Sequence, residues 1–247
     1  MNSVMSYDSR LGRDSQDPAF KALHDELVVC RACPRLVAWR EEVALRKRAS
    51  FAGEQYWGKP VPSFGDIQAR VVIVGLAPAA HGGNRTGRMF TGDRSGDWLI
   101  RAMWRAGWAN QPYSISKDDG LVLEDVFVTA SVHCAPPANK PTPQERDRCS
   151  YFLKRELLLL DKIKVVIALG NFAFDAVCRV EGVVPRPKFS HGKWIELPRQ
   201  RWMVGSYHPS QQNTFTGRLT EEMLDALFAQ VISVVNGHID PAVLASR

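Results

Sequence analysis

The stretch VVIVGLAPAAH at residues 71–81 decides the fold of this chain. Four β-branched apolar residues followed by Gly and Pro are typical of a strand that is buried on both faces and ends in a loop. Three further runs have the same character: VFVTASVH at 126–133, VVIALG at 165–170 and WMVGSYH at 202–208. Buried runs of this kind, separated by helical segments, predict an α/β fold with a parallel sheet covered on both faces.

The segments between and after these runs have helical patterns. Thr142 and Glu145 form a T-x-x-E capping box with Pro143 at the first helical position, and Gly237 is a C-terminal stop signal. The predicted helices cover residues 95–108, 143–163, 171–180 and 221–237.

One domain accounts for most of the chain. We expect a flexible tail at 1–20, a single domain at 21–237 and a C-terminal tail at 238–247. Residues 21–64 form a layer of helices and loops within that domain, and 180–200 is an irregular loop or hairpin. Neither a repeat nor a low-complexity tract is present.

Composition and charge narrow the class of protein. The net charge of +6 favours an anionic partner, of which nucleic acid is the commonest. The polar first twenty residues lack the apolar core of a secretory signal, and no apolar run approaches the roughly 20 residues of a membrane helix. We therefore expect a cytoplasmic protein that works at the nucleoid.

Special residues follow each predicted strand. The strand ends read GLAPAAH, HCAPPANKPTP, LGN and YHPSQQN. Since ligands of open α/β sheets bind outside the carboxyl ends of the strands, these segments predict a site there. The first of them, GLAPAAH, contains no carboxylate, so acidic groups must come from other segments.

The five cysteines suggest a metal site rather than disulfides. Cys30 and Cys33 form a C-x2-C pair, Cys134 follows the second strand, and Cys149 lies early in the next helix. Four thiolates suit zinc or an iron–sulfur cluster, and buried apolar thiols are the alternative for the last two. Cys178 lies in an apolar helix and is expected in the core.

Three long motifs together resemble the fifth, B-type family of uracil-DNA glycosylases. They are residues 75–96 (GLAPAAHGGNRTGRMFTGDRSG), 134–143 (CAPPANKPTP) and 207–220 (YHPSQQNTFTGRLT), and the C-x2-C pair completes the pattern. The resemblance implies a three-layer α/β/α domain with a four-stranded parallel sheet. It also implies a [4Fe–4S] cluster on Cys30, Cys33, Cys134 and Cys149.

The implied activity is removal of uracil from duplex DNA by hydrolysis of the N-glycosidic bond. The family also accepts other deaminated or damaged bases, including hypoxanthine and ethenocytosine. No Lys is placed for Schiff-base chemistry, so a monofunctional enzyme is expected. A monomer is expected because a glycosylase needs only one site per lesion. An iron–sulfur protein that recognises damaged DNA without cutting it is the alternative.

The resemblance assigns catalytic roles to Asp93, Asn139 and His208. Asp93 positions water or stabilises the sugar cation, Asn139 orients water or the nucleotide, and His208 donates to the departing base. The structural alternatives are a helix cap for Asp93, a turn residue for Asn139 and a core histidine for His208.

Further residues are assigned to the base pocket and to DNA contacts. Relatives of the A type carry an Asn at the position of Ala130, and its loss fits broader base acceptance. Which of the last three DNA-contact residues enters the duplex stays open. The predicted base pocket is Gly75, Leu76, Ala77 and Phe90, and the predicted DNA contacts are Arg85, Arg88, Ser210, Gln211, Gln212 and Asn213.

Overall fold

The computed structural model of the chain describes residues 17–246. Its strands form one mixed sheet with the order β1-β3-β2-β4-β6-β5. The strands are β1 (Phe64–Gly65), β2 (Val71–Gly75), β3 (Val126–Ala130), β4 (Val165–Leu169), β5 (Trp194–Leu197) and β6 (Arg201–Ser206).

The four strands predicted from the apolar runs form the middle of this sheet, and all of them are parallel. Gly75 pairs with Ala130, and Leu169 pairs with Ser206, so the strands end at one edge of the sheet. The predicted total of four strands is corrected to six, because antiparallel β1 and β5 extend the two sides. The two-residue β1 is too short to leave a sequence pattern.

Helices cover both faces of the sheet, as the sequence predicts. One face packs against α4 and α8, and the other packs against α1, α5 and α6. The helices are α1 (Pro18–Val28), α2 (Pro34–Arg46), α3 (Gly83–Thr86), α4 (Arg94–Arg105), α5 (Pro143–Leu159), α6 (Asn171–Val180), α7 (Gln211–Phe215), α8 (Glu221–Val235) and α9 (Pro241–Ala245).

Several local predictions are confirmed. The Thr142 hydroxyl accepts a hydrogen bond from the Glu145 backbone, and the Glu145 carboxylate accepts one from the Thr142 backbone, which completes the capping box. The helix predicted at 171–180 has these bounds, and the 180–200 segment contains β5 of a hairpin with β6.

Helices lie at both ends of the described part of the chain, within the segments predicted as tails. Residues 1–16 lie outside the described part of the chain, but α1 begins at Pro18 and buries Phe20 against the sheet. At the other end, α9 contacts β5, and Ile239 and Leu244 pack on the core. These apolar side chains place residues 18–20 and most of 238–246 in the domain. Within residues 17–246, no helix has the length and apolar character needed to span a bilayer.

Candidate active site

Phe90 and Gly75 meet at the carboxyl end of β2. A methyl group built on Gly75 would lie 2.8 Å from the Cζ atom of Phe90, so the ring rests directly on the glycine backbone. Phe90 itself has a φ of 50°, in the left-handed region that a bulky residue rarely adopts. Because Gly75 has no side chain, the strained Phe90 can lay its ring on the backbone there and form a flat apolar wall at the end of the strand.

His208 stands beside this wall at the end of β6. Its ring centroid lies 6.1 Å from that of Phe90, and the two rings are inclined by 31°. Burial lowers the pKa of His208 to about 4, so the imidazole is neutral at pH 7. The backbone carbonyl of His208 accepts a hydrogen bond of 2.9 Å from the Asn213 side chain, which fixes the following turn.

Asp93 has the helix-capping role considered for it, and its catalytic role stays a prediction. It is the N-cap of α4, where its Oδ1 accepts a hydrogen bond of 2.9 Å from the Gly96 backbone. Its Oδ2 faces Gly82, since a methyl group there would lie 2.0 Å from that oxygen. Burial raises the pKa of Asp93, although the hydrogen bond from Gly96 acts in the opposite direction. The cap therefore holds a partly desolvated carboxylate against the 75–83 loop.

Asn139 lies on the loop after β3, with an exposed side chain and a φ of 55°. Arg35 holds this loop, because its guanidinium donates to the Lys140 carbonyl at 3.1 Å and to the Glu145 carboxylate. Within residues 17–246, no hydrogen bond of the Asn139 side chain occurs, so its amide is free to meet a ligand.

The two remaining pocket residues differ in environment. Ala77 packs against the buried group of Leu36, Val132 and Cys134, so it forms part of the wall towards the cysteines. This contact shows a packing role for the half-buried Ala77, and its predicted base contact stays a prediction. Leu76 is half-buried, and its carbonyl accepts a hydrogen bond of 3.2 Å from the backbone of Val132.

Arg85 and Arg88 are a correction to the sequence analysis. Arg85 is buried, forms an ion pair with Glu54 and lies 4.0 Å above the ring of Phe51. Arg88 is also buried and pairs with Asp119 at 2.8 Å. Because Glu54 and Asp119 already pair with the two guanidinium groups, we assign Arg85 and Arg88 to bracing the glycine-rich loop rather than to phosphate contacts.

The segment after His208 forms α7, which displays polar and aromatic side chains. Ser210 caps the helix, while Gln211 and Gln212 are exposed. The Asn213 side chain donates its hydrogen bond to the His208 carbonyl, as described above. Phe215, which sequence reasoning missed, is 66% exposed at the end of this helix.

Two arginines stack on aromatic rings around α7. The guanidinium of Arg94 lies 4.2 Å from the ring centroid of Phe215, and that of Arg218 lies 4.6 Å from the ring centroid of Tyr207. Both arginines are exposed, and neither forms a salt bridge within residues 17–246. Their charges are therefore open to an anion.

The four predicted ligand cysteines line a single cavity: Cys30, Cys33, Cys134 and Cys149. Its other walls are largely apolar and include Leu27, Leu36 and Phe152. Burial raises the pKa of the Cys134 thiol to about 11 and that of Cys149 well above its ordinary value. Among residues 17–246, no three His, Cys, Asp or Glu side chains are grouped to hold one metal ion.

A buried cation and a backbone N–H group approach two of the cysteine sulfurs. Arg40 is 2% exposed and donates from Nη1 to the Cys134 sulfur at 2.9 Å. The backbone N–H of His133 faces the Cys149 sulfur at 3.4 Å, and the His133 ring is held by the Val61 carbonyl at 2.8 Å. A buried cation and a backbone donor aimed at sulfur suit anionic, metal-bound cysteines.

Comparison with known proteins agrees with this geometry. A model of the uracil DNA glycosylase superfamily matches residues 62–232. A type-5 uracil-DNA glycosylase of Mycobacterium tuberculosis is 55% identical over 205 residues, covering 82% of this chain and 76% of that protein. A type-5 uracil-DNA glycosylase of Thermus thermophilus is 52% identical over 204 residues, covering 82% and 92%.

A more distant relative is a type-4 uracil-DNA glycosylase of Archaeoglobus fulgidus, which is 28% identical over 162 residues, or 61% of this chain and 70% of that protein. The superfamily follows from the match over residues 62–232, and the type follows from the identity to the type-5 enzymes. The chain belongs to the uracil DNA glycosylase superfamily, and within it to the type-5 family.

The low pKa of His208 predicts a specific pH dependence of stability. Between about pH 6.5 and pH 4 the unfolded chain binds a proton at His208 that the folded chain does not bind. The contribution of His208 to the free energy of unfolding therefore falls as the pH is lowered. We expect the free energy of unfolding of wild type to fall by up to about 3 kcal/mol more than that of His208→Gln over this window. Urea unfolding at pH 7.5 and 4.5 measures both values.

The control is His238→Gln, since His238 is exposed near the C-terminus. The wild-type and control proteins are expected to lose stability equally on acidification. A His208→Gln protein that loses as much stability as wild type contradicts the neutral, buried state of His208.

Proposed function

We propose that this protein removes uracil from double-stranded DNA by hydrolysing the N-glycosidic bond, leaving an abasic site. The chain is a glycosylase and therefore a hydrolase, and DNA that contains uracil is its substrate. The observation that carries the residue assignments is the neutral His208 beside the Phe90 ring at the carboxyl ends of β6 and β2. We propose that the protein acts as a monomer, since one chain supplies every proposed group, and that it works in the cytoplasm.

The base side of the reaction belongs to Phe90 and His208. A base in the middle of a duplex must leave the stack before C1′ is accessible. The Phe90 ring offers a stacking surface for the extruded base, and a neutral imidazole N–H donates to its O2. As the C1′–N bond breaks, the electron pair goes to the base, and this hydrogen bond stabilises its negative charge.

The sugar side belongs to Asp93 and Asn139. The sugar becomes cationic as the base departs, and a carboxylate nearby stabilises that charge. Asp93 then accepts a proton from the water that forms the new C1′–O bond, and Asn139 orients this water or the nucleotide. The cap of α4 keeps the carboxylate in place, while its Oδ2 stays free of the cap hydrogen bond.

Asp93→Asn tests the carboxylate role. The amide retains an oxygen that can cap α4, but it carries no charge and cannot accept the water proton. We expect a decrease of about 100-fold or more in the single-turnover rate on a uracil duplex, with DNA binding nearly unchanged. The rate is measured by alkaline cleavage at abasic sites.

The pH profile supplies a second readout for Asp93. Burial raises the pKa of Asp93, so this carboxylate is protonated at a higher pH than an ordinary Asp. On acidification, the wild-type rate is therefore expected to fall before the pH reaches the ordinary Asp range. Asp93→Asn should not show this decrease. Asp97→Asn is the control, because that exposed residue lies one helical turn away. A variant that binds DNA more weakly at an unchanged chemical rate contradicts the proposed role of Asp93.

The aromatic residue of α7 supports duplex DNA as the substrate. Phe215 stands exposed on the same short segment as His208, and Arg94 stacks on its ring beside Asp93. Apolar side chains that enter a base step hold DNA open in many proteins, and unpaired arginines bind phosphates. We propose that Phe215 fills the gap left by the extruded base and that Arg94 and Arg218 contact the backbone.

Phe215→Ala separates duplex opening from chemistry. Without the ring, the gap in the duplex is unfilled, so we expect excision from duplex DNA to fall at least 10-fold. Excision from single-stranded DNA should change less than twofold, because no stack has to be opened there. Rates on both substrates, normalised to wild type, check this expectation.

The matched control is Tyr151→Ala, an aromatic with 49% exposure on α5. Arg94→Gln should reduce the salt dependence of DNA binding by about one phosphate contact, whereas Arg88→Gln should lower stability instead. Equal losses on single and double strands for Phe215→Ala contradict its role in the duplex.

The pocket is expected to accept other bases. Ala130 pairs with Gly75 at the sheet edge, so no side-chain amide is available at this position to select uracil. We propose hypoxanthine and ethenocytosine as additional substrates. Duplexes that carry each base in turn are expected to release it, and activity restricted to uracil contradicts this extension.

The cysteine cavity is proposed to hold a [4Fe–4S] cluster. Four cysteines and apolar walls fit such a group, and the buried Arg40 beside Cys134 fits its negative charge. Cys30 and Cys33, Cys134, and Cys149 would hold the cluster from three segments of the chain, and the hydrolysis needs no electron transfer. Cys134 also begins the loop that carries Asn139, so the cluster would fix the base of that loop.

A further inference from the structure

Arg40 is a buried cation that the glycosylase reaction does not use. It lies on α2, seven residues after Cys33, and its side chain is among the largest fully buried ones in the described chain. An arginine keeps its charge in proteins, and burying an unpaired charge costs several kcal/mol. A partner for this charge is therefore required.

The described residues do not supply a buried carboxylate partner. Glu41 approaches Nη2 only to 4.0 Å, and its side chain is 45% exposed. Arg31 already binds both oxygens of Glu41. Arg40 Nε has no hydrogen-bond partner within residues 17–246. The protein thus leaves this charge largely uncompensated.

The contacts of Arg40 point instead to the cysteine cavity. Nη1 donates to the Cys134 sulfur at 2.9 Å, and Nη2 donates to the Cys30 carbonyl at 3.1 Å. The fork of one guanidinium therefore joins two of the segments that line the cavity. Asn84 donates to the Arg40 carbonyl at 3.2 Å and anchors the helix at this point.

We propose that Arg40 is the built-in counter-ion of the cysteine site and fixes an anionic cluster through the Cys134 sulfur. This inference rests on the [4Fe–4S] cluster of the proposed function. A cysteine ligates metal as the thiolate, and four thiolates outweigh the positive charge of the iron–sulfur core. Arg40 is then a positioning residue for the cluster, with no contact to DNA or the scissile bond.

Hydrogen bonds to ligand sulfurs are one means by which a protein sets the reduction potential of a cluster. A cationic donor stabilises the more negative, reduced state, so its removal should lower the midpoint potential. Outer-shell partners of metal ligands typically contribute 10- to 100-fold to metal retention. Both effects are measurable without reference to glycosylase activity.

The experiment compares wild type, Arg40→Met and Arg40→Lys as full-length chains purified without oxygen. The control is Arg46→Met on the same helix, where the side chain is 79% exposed and pairs with Glu42. Iron and sulfide per chain, absorbance near about 400 nm, the rate of iron loss to a chelator and the midpoint potential are recorded.

We expect Arg40→Met to lose iron at least 10-fold faster than wild type and to have a lower midpoint potential. Arg40→Lys, which keeps the charge but loses the two-point fork, should fall between them, and it carries the test if Arg40→Met does not fold. Arg46→Met should match wild type.

Two results overturn the proposal in distinguishable ways. If wild type contains iron and sulfide but both Arg40 variants retain them with unchanged kinetics and potential, Arg40 is not the counter-ion. If wild type excises uracil without iron or sulfide, the cluster and the role of Arg40 both fail while the glycosylase function stands.

Discussion

The parallel register of the four central strands is the constraint on which the site depends. Because β2, β3, β4 and β6 run in one direction, their carboxyl ends meet at one edge of the sheet. Phe90 then rests on Gly75 at the end of β2, and His208 stands next to it at the end of β6. A one-residue slip of β6 would reverse the faces of its side chains and move His208 away from the aromatic wall.

The cysteine cavity also depends on segments that meet near this edge of the sheet. Cys134 follows β3 directly, while Cys30 and Cys33 come from the chain around α1 and α2. Arg40 and Arg35, both on α2, bind the Cys134 sulfur and the Lys140 carbonyl at the two ends of the loop that carries Asn139. The position of this loop therefore depends on how α2 is fixed, and a cluster in the cavity would fix it.

The sequence allows the central strands and the residues at their ends to be predicted because both depend on local pattern. β2 consists of the four apolar residues that predicted it and the glycine after them, and the capping box of α5 forms from residues three apart. The edge strand β1 left no comparable signal, since it has only two residues. The packing of α1 depends on single apolar residues, such as Phe20, whose burial is a tertiary effect.

Charged residues were harder to predict because their partners are distant in sequence. Arg85 and Arg88 stand in a glycine-rich loop that resembles a phosphate site, but Glu54 and Asp119 neutralise them from 31 residues away in each case. Arg40 binds a sulfur 94 residues distant. Spacing along the chain carries no information on such pairs, and Phe215 stood out only when its exposure was known.

The most direct test of the account is a single-turnover reaction of the full chain with a duplex that carries one uracil. Products are separated by liquid chromatography and detected by mass. Hydrolysis at the N-glycosidic bond predicts one equivalent of free uracil and one intact strand with an abasic site. DNA that is bound by the protein but keeps its uracil, or that releases a uracil nucleotide instead of the free base, would contradict it.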